Sequence, residues 1–122
     1  MKRVFGMSIC VMLLFAACGQ QHDAETLVED FMKENLNDSS SLSGVEFAKL
    51  DSTARLNDSI INILRADSKQ SERYRNDIRY ADSKQEKSLK ILRVKYMLGT
   101  DDCSDTYYLD KNITKVIAIK IN

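Results

Sequence analysis

Between residues 92 and 98, Leu92, Val94, Tyr96 and Leu98 alternate with Arg93, Lys95 and Met97. A period of two sends one set of side chains to a covered face and the other to solvent. The stretch must therefore be a strand in a sheet covered on one side. Residues 99–105 read as a polar loop, and residues 106–109 as a short aromatic strand. Asp110-Lys111-Asn112 reads as a turn in which Asn112 takes positive φ at little cost. Residues 113–121 close the chain as a strand with Ile117, Ile119 and Ile121 on one face. The last third is thus a β-meander.

The preceding residues carry helical periodicity instead. Leu27, Val28, Phe31 and Met32 form one stripe in a helix predicted over residues 24–36, with Asp23 as its cap and Glu25 at its positive end. Residues 37–41 are a polar loop, and residues 45–50 a short strand in which Val45 and Phe47 share a face. Asp51, Ser52 or Thr53 then caps a second helix, expected from about residue 54 into 84–87. Its stripe is Leu56, Ile60, Ile63 and Leu64, continued by Tyr74, Ile78 and Ala81 after a polar gap at 67–71, where the helix can break. The pentapeptide Ala-Asp-Ser-Lys-Gln occurs at 66–70 and again at 81–85. An offset of 15 residues leaves the copies about 60° apart on a helix, which fits solvated surface rather than a functional repeat. The expected fold class is α+β: two helices packed on a small antiparallel sheet ending in a C-terminal β-meander. The order of elements is similar to the cystatin-like and nuclear-transport-factor-like layouts.

The N-terminus has a different character. Lys2 and Arg3 precede an uncharged run, residues 4–17, that ends in Leu14-Phe15-Ala16-Ala17-Cys18. The run is short for a bilayer core, which takes about 20 helical residues, and suits the apolar part of a signal peptide. With small residues directly before a cysteine, residues 14–18 resemble the lipobox of bacterial lipoprotein precursors. Phe15 departs from the small aliphatic residue usual three places before the cysteine. The resemblance implies cleavage before Cys18, diacylglycerol on its sulfur and usually a third acyl chain on its new amino group. Two or three chains anchor stably where one does so marginally. The implied organisation is a signal peptide at 1–17, a polar tether at 18–23 and a single domain at 24–122. The implied location is the bacterial cell envelope. Gly19 after the cysteine carries no aspartate-type retention cue, which points to the outer rather than the inner membrane.

Loss of residues 1–17 leaves 105 of 122 residues, enough for one core, and a formal charge of −2 because Lys2 and Arg3 leave with no acid. Near neutrality argues against a nucleic-acid partner. Cys10 departs with the signal and Cys18 is lipidated, so Cys103 stands alone without an intrachain disulfide. A nucleophilic thiol needs a base or a positive field. The one histidine, His22, lies in the tether, and Asp101, Asp102 and Asp105 surround the thiol with negative charge. Those acids with Asp110 lack the spacing of a calcium loop, so no metal is expected. No phosphate loop, zinc-ligand spacing or catalytic triad is present, and no cofactor is implied. The expectation is a non-catalytic binding module anchored at Cys18, with Tyr107, Tyr108, Arg75 and Arg79 as a possible binding surface for a protein or small ligand. An assembly accessory of an envelope complex is the second reading, and a thiol enzyme the third.

Overall fold

The computed structural model describes residues 2–54, 56–82 and 88–122, with side chains described from residue 19 onward except at 54. Helix α1 (Lys2–Asn35) leads through a short 3₁₀ turn (Ser39–Ser41) to strands β1 (Leu42–Phe47) and β2 (Asp51–Ala54). Helix α2 (Asp58–Gln70) follows, then an irregular crossing segment, residues 71–82. Strands β3 (Ser88–Leu98), β4 (Asp101–Leu109) and β5 (Val116–Ile121) complete an antiparallel sheet in the order β1-β3-β4-β5, with β2 also paired to β3. This is the expected α+β architecture.

β1 and β2 behave as one long edge strand broken by two irregularities. Leu42 pairs with Leu98, Phe47 with Val94 and Asp51 with Ile91, so the register slips by one residue at each break. The first slip lies at Gly44, whose φ of +59° is a conformation that glycine adopts without steric cost. The second spans residues 48–50, where the ladder leaves backbone groups over. Gln21 takes them up: its Nε2 donates to the Ala48 carbonyl at 3.0 Å and its Oε1 accepts from the Leu50 amide at 2.6 Å. Residues 19–23, expected as a polar tether with Asp23 as a helix cap, lie inside α1, and Gln21 among them is bonded to the sheet edge.

Alternation sorts the core onto two faces. Ala24, Val28, Met32 and Leu36 of the α1 side pack with Leu92, Val94, Tyr96, Tyr107, Leu109 and Ile119. Tyr74 and Ile78 of the crossing segment seal the same cluster. On the other face Ile61 of α2 packs with Leu89, Ile117 and Ala118, flanked by Leu56, Leu64 and Tyr108.

Several expectations are corrected. Asp51, Ser52 and Thr53 belong to β2, and the cap of α2 is Asn57, whose side chain accepts from the Ile60 amide at 2.8 Å. α2 ends at Gln70, within the polar gap, so Tyr74 and Ile78 are buried without being helical. The expected stripe is rotated. Ile61 faces inward at 4 % exposure, while Ile60 and Ile63 stand 42 % and 59 % exposed. Ser68, in the first pentapeptide copy, is buried rather than solvated. In the second copy Ala81 and Asp82 are not helical, and its residues 83–85 lie outside the described residues. The 99–105 loop is only a two-residue turn, Gly99-Thr100, with Gly99 at φ +63°. In β5 a register shift turns Ile117 to the α2 face while Ile119 stays on the α1 face. The residue of positive φ in the last turn is Ile113, at +58°, rather than Asn112. The turn is organised from Asp110. Its Oδ1 accepts from the Thr114 and Lys115 amides at 2.8 and 2.9 Å, and its Oδ2 from the Thr114 hydroxyl at 2.7 Å.

Candidate functional site

Strand β4 carries Asp105 into the interior on the α1 face, where it is fully buried. Its Oδ1 accepts from Arg73 Nη2 at 2.6 Å, and its Oδ2 from the Tyr74 hydroxyl at 2.5 Å and from the Tyr96 hydroxyl. Because the Tyr74 proton is committed to Asp105, Tyr107 donates to Tyr74 across 2.8 Å. Arg73 also lies over the Tyr96 ring, 5.8 Å from its centroid. A second, smaller link joins Tyr80 to Ser68 at 2.5 Å, with Ser68 donating to the Arg65 carbonyl. Phe31 stacks on Tyr80 and meets Tyr107 edge-on.

The electrostatics follow from burial. Burial raises the Tyr74, Tyr96 and Tyr107 pKa values well above the phenol range, and the charge of Asp105 adds to this at each. Tyr80 is pushed up to about 12 by burial, against the pull of Ser68 and Arg65. For Arg73, burial opposes the charge, but the Cys103 sulfur and Asp105 outweigh it, and the guanidinium is held above its ordinary value. Among the described residues no buried side-chain nitrogen or oxygen lacks a hydrogen-bond partner. The network is internally satisfied, and it works as a polar core that fixes the crossing segment over the sheet.

The four residues expected as a binding surface do not converge. Tyr107 is entirely buried in the α1-side core, so it cannot meet a partner directly. Tyr108 points to the opposite face and is half-buried beside α2. Arg75 and Arg79 are exposed and line an open hollow of about 680 Å³ with Phe31, Lys33, Glu34 and Asp77. The region is not helical, so Arg73 and Asp77 do not stand one helical turn apart. Arg73 pairs with Asp105, and Arg75 pairs with Asp77 at 3.3 Å. Arg75 instead finishes α1, its amide donating to the Asn35 carbonyl at 2.7 Å. Of the acids weighed as cation ligands, Asp105 enters the core and Asp110 organises its own turn. Arg73 brings to the thiol the positive neighbour that the sequence around Cys103 lacks.

The sheet surface missed by the sequence reading is the α2 face beyond α2 itself. There Arg93 lies directly across from Thr106, and Thr106 across from Lys120, while Lys95 lies between Glu46 and Ser104. Arg93, Lys95 and Lys120 are exposed and make no ion pair among the described residues. A hollow of about 520 Å³ opens here beside the Gly44 bulge, lined by Glu46, Lys95, Met97, Asp102 and Ser104. A second of about 290 Å³ adjoins it and shares Glu46 and Lys95 with it. The outward alternation of Arg93 and Lys95 was visible in the sequence; the cross-strand partner Lys120 and the bulge that deepens the surface were not.

Comparison with the models of known families, with curated proteins and with solved structures finds no match to this chain.

Proposed function

We propose that the chain is a lipoprotein of the bacterial cell envelope, anchored to the membrane through acylated Cys18, whose small α+β domain acts by binding rather than catalysis. The observation that carries this reading is the position of Gln21. Three residues beyond Cys18, its side chain bonds the sheet edge at Ala48 and Leu50. An anchor at Cys18 would therefore hold this edge of the sheet close to the bilayer. Holding a domain at the membrane raises its effective concentration for partners there, so weak binding suffices.

The interior supports binding over chemistry, because Asp105 and its tyrosines use their hydrogen bonds on one another. Growth with labelled palmitate followed by membrane fractionation tests the anchor. Label and membrane retention are both lost in Cys18→Ala on this reading, and a variant that behaves like the parent overturns it.

One observation favours an assembly accessory of an envelope complex as the second reading. Ile60 and Ile63, one helical turn apart on α2, are exposed large apolar side chains of the kind that subunit contacts cover. That role shows itself as stoichiometric co-purification with a larger assembly.

A further inference from the structure

The bare half of the α2 face has a charge pattern that its fold does not use. Its neighbours on the same face, Leu89, Ala118 and Tyr108, are covered by α2, whereas Arg93, Lys95 and Lys120 are left without ion-pair partners among the described residues. Arg93 and Lys95 stand two residues apart on one strand face, a spacing of roughly 6–7 Å. Lys120 lies two strands over from Arg93, roughly 10 Å away, with Thr106 between them. The Gly44 bulge and the second register slip open two adjoining hollows along the β1 side of this row.

We infer that this face binds an extended, acidic peptide segment of a partner protein, with carboxylates at alternate positions. The geometry is complementary at the level of repeat. Alternate side chains of an extended chain fall on one side, also about 6–7 Å apart, which matches the Arg93–Lys95 interval. Arg93 can take a carboxylate in two parallel hydrogen bonds, and Lys95 meets the next as a point charge. Lys120 offers a third contact across the sheet. Glu46, across from Lys95 and lining both hollows, repels an acidic segment on the β1 side, and Asp102 does so beyond Lys95, which confines the segment to the Arg93 and Lys120 side of the row. The inference deepens the binding reading and rests on it, but it does not depend on the anchor. Palmitate labelling and peptide binding can therefore fail separately.

The test uses the full-length protein in non-ionic detergent and a fluorescein-labelled hexapeptide with glutamate at alternate positions, read by fluorescence anisotropy. The peptide is expected to bind, and the version with glutamine for glutamate to bind far more weakly. In Arg93→Gln/Lys95→Gln, affinity is expected to fall roughly tenfold, as loss of two exposed charge contacts dictates. Arg75→Gln/Arg79→Gln is expected to bind like the parent. Both variants should keep the parent's circular dichroism and melting midpoint, which separates lost contact from lost fold. Equal binding of the glutamine peptide, equal binding by the Arg93/Lys95 variant, or no binding at low salt overturns the inference. So does competition for the same residues by anionic phosphatidylglycerol vesicles but not by the peptide, which would make the surface a lipid-facing one.

Discussion

Asp105 holds the Arg73 guanidinium at 2.6 Å, joining strand β4 to the segment that crosses over the end of α1. Asp105 is fully buried and accepts two tyrosine hydroxyls besides. Removing it leaves the buried Tyr96 hydroxyl and the part-buried Arg73 guanidinium without their acceptor and leaves Tyr74 only Tyr107. Asp105→Ala is therefore expected to cost about 3–5 kcal/mol, whereas Tyr96→Phe, which removes one donor of several, costs about 1–2 kcal/mol. Urea unfolding of the two variants checks the ordering.

The tyrosines set an alkaline limit. Their folded pKa values lie above the unfolded phenol value of about 10, Tyr80 at about 12 and Tyr74, Tyr96 and Tyr107 higher in direction. Above that value the unfolded chain releases phenolic protons that the folded chain retains. The stabilisation is thus complete below pH 10 and is lost as the pH rises beyond it. Phenolate absorbance is expected to rise together with loss of the near-ultraviolet dichroism. Ionisation of these tyrosines at ordinary pH in a still-folded protein would contradict this.

Asp110 works in the opposite direction. Burial raises its pKa, but the Thr114 hydroxyl and the Thr114 and Lys115 amides outweigh burial, and the net shift is downward. A depressed carboxylate contributes stability above its unfolded value of about 3.9 and loses it as the pH falls through the folded value. Asp110→Ala is expected to cost about 2 kcal/mol at neutral pH, from bonds made to a charged acceptor. The gap between variant and parent should narrow in denaturant titrations below pH 4.

How far the sequence reveals this molecule depends on whether a residue's partners are near it in the chain. The alternation at Leu92, Val94 and Tyr96 and the stripe at Val28 and Met32 are local, and a strand and a helix form there, although the helix starts at Lys2 rather than at the expected Asp23 cap. β2 was hidden because Asp51-Ser52-Thr53 suits a helix cap as well as an edge strand, and only pairing with β3 decides. Tyr74 and Ile78 sit at helical spacing from Ile60 and Leu64, yet they pack against α1 rather than α2. Asp105 looked like one more acid of a solvated loop, since Arg73 and Tyr74 reach it from about thirty residues away. Likewise Arg93 and Lys95 read as plain solvent-facing charges until β5 brings Lys120 alongside.

The rotation of α2 gives a direct comparison of neighbouring isoleucines. Ile61→Ala empties a buried site and is expected to cost about 2–4 kcal/mol, while Ile60→Ser and Ile63→Ser stay within about 0.5 kcal/mol of the parent. Melting midpoints of the three variants check it. A large loss at Ile63 with a small one at Ile61 would restore the stripe expected from periodicity.

Gln21 is expected to act as a clamp on the edge strand. Gln21→Ala leaves the Ala48 carbonyl and the Leu50 amide without their side-chain partner and is expected to cost about 1–2 kcal/mol. Hydrogen exchange of the Leu50 amide should accelerate in the variant while the β3–β4 amides stay protected.

The modification of Cys18 decides whether the domain is anchored, and the intact mass of the protein isolated from membranes measures it directly. A mature chain beginning at Cys18, with the diacylglyceryl mass on that residue and a further acyl chain on its amino group, is the predicted result. A chain that starts elsewhere, or one that begins at Cys18 with an unmodified thiol, would contradict the lipoprotein reading and leave the domain without the anchor on which its proposed role depends.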